Sequence, residues 1–174
     1  MLTIVGLGCS PEDLSQGARE AVFGGAKVIL RTGETPAAKA ILDSCADCVT
    51  LDRIYESCRN FDTLNKKLAA AVAEEAKKGD VVYCVDGSVS EDVSAQMLLR
   101  KVKNARVFCG VSKADAAFAA AKISACNRTA LSAYMLEGAR PRLPLAVYDI
   151  GISYHIPASV LRKVKSTDFS DAAT

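Results

Sequence analysis

The sequence predicts an α/β fold with a parallel sheet, and three observations support this class. Segments typical of strands alternate with segments typical of helices along the first two thirds of the chain. The run Val81 to Val85 is continuously apolar, which is typical of a parallel strand buried on both faces. Turns that contain glycine follow three of the predicted strands, at residues 6–8, 86–87 and 110, where sheets of this kind bind ligands.

Local signals in the first half of the chain place each element in turn. Leu2 to Leu7 is a short apolar run that predicts a buried first strand. Ser10 and Pro11 predict the start of a helix that ends near Phe23, because serine is a good N-cap and proline suits the first turn. The same signals predict strands over 27–31 and 48–51, helices over 36–42 and 61–78, and a loop over 52–60.

The alternation continues in the second half of the chain. Gly79 ends the long helix before the strand at 81–85, and a tight turn follows over 86–90. The pattern then predicts a helix over 91–102, a strand over 105–109 and an alanine-rich helix from Ser112 to about residue 122. Beyond it, strands are predicted over 129–136 and 143–148, and a helix over 154–164. The regular alternation of strands and helices changes in this part of the chain, which predicts two lobes, 1–112 and 113–174. We expect the second lobe to be incomplete.

Composition excludes several classes of function. The net charge of +2, from 22 basic and 20 acidic residues, gives no basis for a nucleic-acid footprint or a membrane-surface patch. No segment approaches the roughly 20 apolar residues of a membrane span, and the amino terminus shows no secretory signal. Seven cysteines, an odd number, fit reduced thiols in a reducing cell interior, so we expect a cytoplasmic protein.

Two residue sets that often carry chemistry are interpreted as inert. Cys45 and Cys48 form a C-x-x-C pair, but a zinc site needs a second pair of ligands and a redox pair normally opens a helix. We therefore expect incidental thiols and no metal. His155 is the only histidine, and no nucleophile stands at a recognisable spacing, so a hydrolase triad is unsupported. The residues identify no catalytic group.

The glycine turns are the strongest candidates for binding. The turn at 6–8 lets backbone amides approach a ligand, but Pro11 stands where a dinucleotide fingerprint would have its third glycine. Asp86 and Ser88 could hold a ribose or an ammonium group, or they could only cap the next helix, and both interpretations stay open. Ser112 is at a helix start, where plain capping is the simpler interpretation.

Taken in order, these segments resemble the tetrapyrrole (corrin/porphyrin) methylase family, and most closely the methylase-like domain that precedes a MazG-type nucleotide pyrophosphohydrolase. The resemblance is carried by residues 3–8, 28–32, 79–87, 110–117 and 144–149. It implies two α/β lobes with S-adenosylmethionine in the cleft between them, and S-adenosylhomocysteine as product. It also implies methyl transfer to a small-molecule acceptor, tetrapyrrole-like or other, by a homodimer.

The resemblance also implies which residues contact the cofactor. They come from the turns after successive strands, and they are Cys9, Gly87, Ser88, Glu91, Ser112, Lys113 and Asp149. Catalysis in the family is mostly alignment of the methyl group with its acceptor, with little acid–base work by the protein. Glu91 stands where the family pattern has an apolar side chain against the cofactor.

Two other functions are weighed against methyl transfer. The first is a degenerate methylase-fold module that binds S-adenosylmethionine or a nucleotide weakly, or only mediates assembly, ahead of a MazG-type hydrolase domain. The departures from the family pattern at Cys9, Ser88 and Cys109 favour it. The second is a generic dinucleotide-binding domain, and the incomplete glycine fingerprint argues against it.

Overall fold

Five parallel strands form the sheet of the computed structural model, which describes residues 1–126, 128–132 and 145–148. The strands are β1 (Leu2–Gly6), β2 (Lys27–Leu30), β3 (Cys48–Thr50), β4 (Val81–Val85) and β5 (Arg106–Phe108). They lie in the order β3-β2-β4-β1-β5, and every pairing is parallel. The predicted parallel α/β class is therefore confirmed.

Helices connect the strands. They are α1 (Gln16–Val22), α2 (Pro36–Leu42), α3 (Asp52–Glu56), α4 (Phe61–Lys78), α5 (Val93–Lys101) and α6 (Lys113–Ala120). Short 3-10 turns also follow β1, at Pro11–Asp13, and β4, at Val89–Glu91. None of the described helices combines the length and the apolarity that crossing a membrane requires.

The central strand β4 divides the core between the two faces of the sheet. Tyr83 and Val85 pack on the face that α4 and α5 cover, whereas Val82 and Cys84 pack on the face of α1 and α2. All five side chains of β4 are buried, because successive residues of a strand point to opposite faces and helices cover both. The burial predicted from the apolar run is confirmed.

The connections make the carboxyl ends of β1 and β4 a topological switch point. These two strands are neighbours in the sheet. The chain leaves β1 for α1 on one face, and it leaves β4 for α5 on the opposite face. In open α/β sheets a crevice forms where adjacent connections diverge in this way, and ligands bind there.

Helix starts are where the structure differs from the sequence prediction. The helix expected from Ser10 begins at Gln16 instead, and Ser15 is its N-cap, with Oγ accepting from the amide of Ala18 at 3.3 Å. Pro11–Asp13 forms only a 3-10 turn, after which Leu14 is extended at φ −71° and ψ 113°.

Two other elements also differ from the sequence prediction. The helix expected to begin at Glu91 begins at Val93, because the carboxylate of Asp92 accepts from the amide of Ala95 at 2.7 Å and acts as the N-cap. The predicted loop at 52–60 contains α3. A polar cap therefore sets the start of α5, whereas α3 begins after Leu51 without a side-chain cap.

The chain divides into two compact units, Met1–Lys113 and Ala114–Thr174. In the second unit, β6 (Thr129–Ser132) and β7 (Leu145–Tyr148) pair in parallel. Arg128 forms an ion pair with Asp115, and its guanidinium carbon lies 5.7 Å from the ring centroid of Phe118. The helix predicted over 154–164 lies outside the described residues, so a second α/β lobe stays a prediction.

A buried ion pair ties β2 to α5 on the face of α4 and α5. Arg31 follows β2, and its Nε lies 2.5 Å from Oδ2 of Asp92, while its Nη2 donates to Oδ1 of Asn65 at 3.0 Å. Asp92 also accepts from Oγ of Ser94 at 2.5 Å, and that hydroxyl lies 2.7 Å from the hydroxyl of Tyr83. One carboxylate therefore caps a helix and neutralises a largely buried guanidinium.

We expect Asp92→Ala to lower the free energy of unfolding by about 3 kcal/mol, because it leaves Arg31 without its counter-ion and removes the cap of α5. Urea denaturation followed by circular dichroism measures this. Glu74→Ala is the matched control, since it also removes a carboxylate from an ion pair, with Lys77, but on the exposed side of α4. Equal losses in the two variants would contradict the assignment.

Candidate functional site

The turns after β1, β4 and β5 meet at one place. Gly8 and Gly87 exchange two backbone hydrogen bonds, from the amide of Gly8 at 3.1 Å and from the amide of Gly87 at 2.9 Å. The amide of Val89 donates to the carbonyl of Cys109 at 2.8 Å, which joins the third turn. The predicted convergence of the three glycine turns is therefore present, and it lies at the switch point.

Backbone atoms pack so closely here that side chains are excluded. A Cβ on Gly6 would lie 2.2 Å from the carbonyl oxygen of Cys109, and one on Gly110 would lie 2.4 Å from that of Gly87. Gly110 also has φ +76°, a conformation that residues with a side chain rarely adopt. Because the obstructing atoms are backbone atoms of neighbouring turns, they cannot rotate away as a flexible side chain can. We refer to the main chain of these packed turns as the floor of the candidate site.

Glu91 joins the turn after β4 to the start of α6. Its Oε2 accepts from the backbone amides of Ser88 at 3.3 Å and Lys113 at 3.0 Å, and its Oε1 accepts from Oγ of Ser112 at 2.6 Å. The structure therefore brings four of the predicted cofactor-binding residues into one hydrogen-bonded cluster. The donors of Ser88, Ser112 and Lys113 are all directed at the carboxylate of Glu91.

Gly87, the fifth predicted residue, lies beneath the same cluster. A Cβ on Gly87 would lie 2.8 Å from Cγ of Lys113 and 3.0 Å from Oε2 of Glu91. These are atoms of flexible side chains, unlike the backbone atoms around Gly6 and Gly110. The space above Gly87 is filled by groups that can move.

Cys9 is an exposed residue at the edge of the cluster. Its backbone amide donates to Oδ2 of Asp13 at 2.7 Å, and the amide of Ser10 donates to the same oxygen at 3.0 Å. Partial burial of the thiol raises the pKa of Cys9, and the negative charges of Asp13 and Glu91 raise it further, while Lys113 acts in the opposite sense. The thiol is therefore within electrostatic reach of the groups around Gly87.

The polar side chains of the turn after β4 have two different roles. Ser88 is a cap, since its Oγ accepts from the amide of Ser90 at 3.3 Å. Asp86 caps no helix, and its Oδ1 instead accepts from Oγ1 of Thr35 at 2.7 Å. Burial raises the pKa of Asp86. Sequence reasoning missed Thr35, although Thr35-Pro36 is a recognisable helix start.

The remaining candidates are Asp149, His155 and the pair Cys45 and Cys48. Asp149, predicted as a cofactor contact, and His155 lie outside the described residues. Burial and the neighbouring Cys45 raise the pKa of Cys48 to about 11, which makes its thiol a poor nucleophile at neutral pH. Within the described ranges no three His, Cys, Asp or Glu side chains come together as a metal site.

A parallel sheet with main-chain turns packed together at its switch point has the arrangement at which α/β domains bind ligands. The family model of the Tetrapyrrole (Corrin/Porphyrin) Methylases matches residues 1–149. The chain belongs to this family. No curated protein sequence matches it.

Solved structures share the fold at low sequence identity. Precorrin-6Y methylase from Archaeoglobus fulgidus is 19% identical, with 76% of this chain and 63% of that chain covered and a TM-score of 0.51. Diphthine synthase is 18% identical, with coverages of 76% and 54% and a TM-score of 0.55. A cobalamin synthesis related protein from Corynebacterium diphtheriae is 16% identical, with coverages of 80% and 67% and a TM-score of 0.51. The chain thus spans 63% and 54% of the lengths of the first two structures.

We expect three glycine-to-alanine variants to separate backbone strain from steric exclusion. Gly79→Ala should change stability little, because Gly79 is extended at φ 174° and nothing lies within 4 Å of its Cβ position. Gly25→Ala should cost about 1 kcal/mol from its positive φ alone, and Gly110→Ala about 3 kcal/mol because the backbone clash is added. Chemical denaturation measures the series, and Gly110→Ala no worse than Gly25→Ala would contradict the packing described.

We expect Glu91→Gln to lower the pKa of Cys9, because it removes a negative charge that disfavours the thiolate. Alkylation of Cys9 by iodoacetamide as a function of pH, read by peptide mass spectrometry, measures the shift. Glu74→Gln, on the exposed side of α4, should leave the profile unchanged. Superimposable profiles for wild type and Glu91→Gln would show that the two groups do not face each other.

Proposed function

We propose that the chain is an S-adenosylmethionine-dependent methyltransferase that binds the adenosyl group over the hollow formed by the turns after β1, β4 and β5. The observation that carries the proposal is the meeting of these three turns at the switch point, where Gly8 and Gly87 are hydrogen-bonded to each other. Membership of the methylase family supports the same activity.

The residues present fit such a ligand. The atoms over Gly87 belong to the flexible side chains of Lys113 and Glu91, which a ligand can displace to reach the main chain of the turn. Hydroxyls and a carboxylate lie at these turns, at Ser112 and Asp86. Such groups complement ribose hydroxyls and the positive charges of a sulfonium or an ammonium group.

The proposed chemistry assigns a limited role to the protein. S-adenosylmethionine supplies an electrophilic methyl group when it is bound. The chain itself would hold the adenosyl end at turns that are fixed by backbone contacts, and the rate would then come mainly from alignment with the acceptor. We assign no side chain to proton transfer. Asp149 remains a proposed contact from the second unit, carried over from the family resemblance.

The acceptor and the setting are part of the proposal. The family name favours a tetrapyrrole-like small molecule as acceptor. All seven cysteines are free thiols, which supports a reducing compartment such as the cytoplasm. A homodimer is proposed from the family resemblance, and a MazG-type partner domain stays a prediction.

One observation favours the alternative of a degenerate module for binding or assembly. Carboxylates of the chain already occupy the amides at both turns, Asp13 at Cys9 and Ser10, and Glu91 at Ser88. A ligand that needs those amides has to compete with an internal group. A site of this kind binds S-adenosylmethionine weakly or not at all.

Calorimetric titration with S-adenosylmethionine and S-adenosylhomocysteine tests the proposal. We expect both to bind, and Gly87→Val to weaken binding at least about tenfold, because its side chain would enter the space above the turn. Gly25→Val is the matched control, since Gly25 also has a positive φ, +87°, but nothing lies within 4 Å of its Cβ position. A folded protein that gives no heat at millimolar ligand would contradict the proposal and favour a degenerate module that only mediates assembly.

A further inference from the structure

Glu91 makes more contacts in the hollow than any capping role requires. In the 3-10 turn Val89–Glu91 it needs only to accept from the amide of Ser88. Its carboxylate also reaches Ser112 and the amide of Lys113, which are 21 and 22 residues further along the chain. Three donors from two separate segments therefore converge on one carboxylate.

The same carboxylate covers the floor of the hollow. Oε2 of Glu91 lies 3.0 Å from the position of a Cβ on Gly87, so the group stands directly over the glycine that a ligand would approach. Glu91 thus binds the three donors, and it also covers Gly87. Both observations place its carboxylate where we propose that the ligand binds.

We propose that Glu91 is an affinity-determining residue that acts as an internal competitor, holding the donors of Ser88, Ser112 and Lys113 until a ligand displaces it. This inference rests on the proposed function, because the ligand is taken to be S-adenosylmethionine. Glu91 is then not a cofactor contact, as the family position implies, but a group that leaves its position when the cofactor binds.

The geometry allows Glu91 to leave. Its side chain is long and flexible, and the residue is half-buried, so the carboxylate can move into water. The turn that carries it stays in place, since the amide of Val89 is held by the carbonyl of Cys109 at 2.8 Å. Asp13 is different, because its short side chain is fixed against Gly8, where a Cβ would lie 2.2 Å from Cβ of Asp13.

Acetate tests, without S-adenosylmethionine, whether the carboxylate of Glu91 occupies the donors of Ser88, Ser112 and Lys113. Glu91→Ala removes a CH₂–COO⁻ group, which acetate matches in size and charge. We expect sodium acetate to raise the midpoint of thermal unfolding of Glu91→Ala by about 2 °C or more over sodium chloride at equal ionic strength. Wild type, whose donors are filled, and the surface control Glu74→Ala should show no difference between the two salts.

Calorimetry tests the competition itself. Glu91→Ala should bind S-adenosylmethionine about tenfold more tightly than wild type, because the ligand no longer displaces a charge-assisted hydrogen-bond acceptor. Glu91→Gln, which keeps the shape but not the charge, should lie between them, and it replaces the alanine variant if that variant does not fold. Weaker binding by folded Glu91→Ala or Glu91→Gln would overturn the proposal and make Glu91 a ligand contact.

The two tests separate the failure of this inference from the failure of the proposed function. If no variant binds S-adenosylmethionine, the methyltransferase proposal fails, and the acetate result alone decides the role of Glu91. Acetate that stabilises only Glu91→Ala then supports an internal carboxylate filling a ligand's donors. Acetate without effect on a folded Glu91→Ala overturns that assignment.

Discussion

The structure depends on the close approach of three main-chain segments at the carboxyl ends of β1, β4 and β5. The carbonyl oxygens of Gly87 and Cys109 lie only 2.2 to 2.7 Å from the positions that a Cβ on Gly6 or Gly110 would take. Main chain packed this densely cannot shift to make room for a side chain. Positions 6 and 110 are therefore restricted to glycine. Because glycine stands at these positions, the ends of the three strands can come together. The same packing therefore determines the fold here and the place of the candidate site.

Polar contacts fix the two central connections reciprocally. Asp86, which follows β4, binds Thr35, the N-cap of the helix that follows β2. Arg31, which follows β2, binds Asp92, the N-cap of the helix that follows β4. Each strand end is thus tied to the helix start of its neighbour, one on each face of the sheet. These contacts hold the connections that follow β2 and β4, and the glycine packing joins the turns that follow β1, β4 and β5.

The sequence predicts what is set by neighbouring residues and misses what is set by distant ones. The apolar run of β4 and the glycine turns are local signals, and they predict the parallel sheet and the place of the hollow. Helix starts were misplaced because several capping residues stand close together, and Ser15 rather than Ser10 begins α1. The contacts of Glu91 could not be read from the sequence, since Ser112 and Lys113 come near it only after β5 has joined the sheet.

The internal carboxylate also bears on whether this family member has kept a working site. A hydroxyl that loses its ligand can rotate toward water, whereas a backbone amide keeps the direction of the turn that carries it. Here Glu91 keeps the donors of Ser88, Ser112 and Lys113 aimed at a single pair of oxygens. A ligand that replaces it exchanges one acceptor for another and reorganises no backbone, which is the condition for a preorganised site. Competition by Glu91 therefore lowers affinity while it preserves geometry, whereas loss of the glycine floor would remove both.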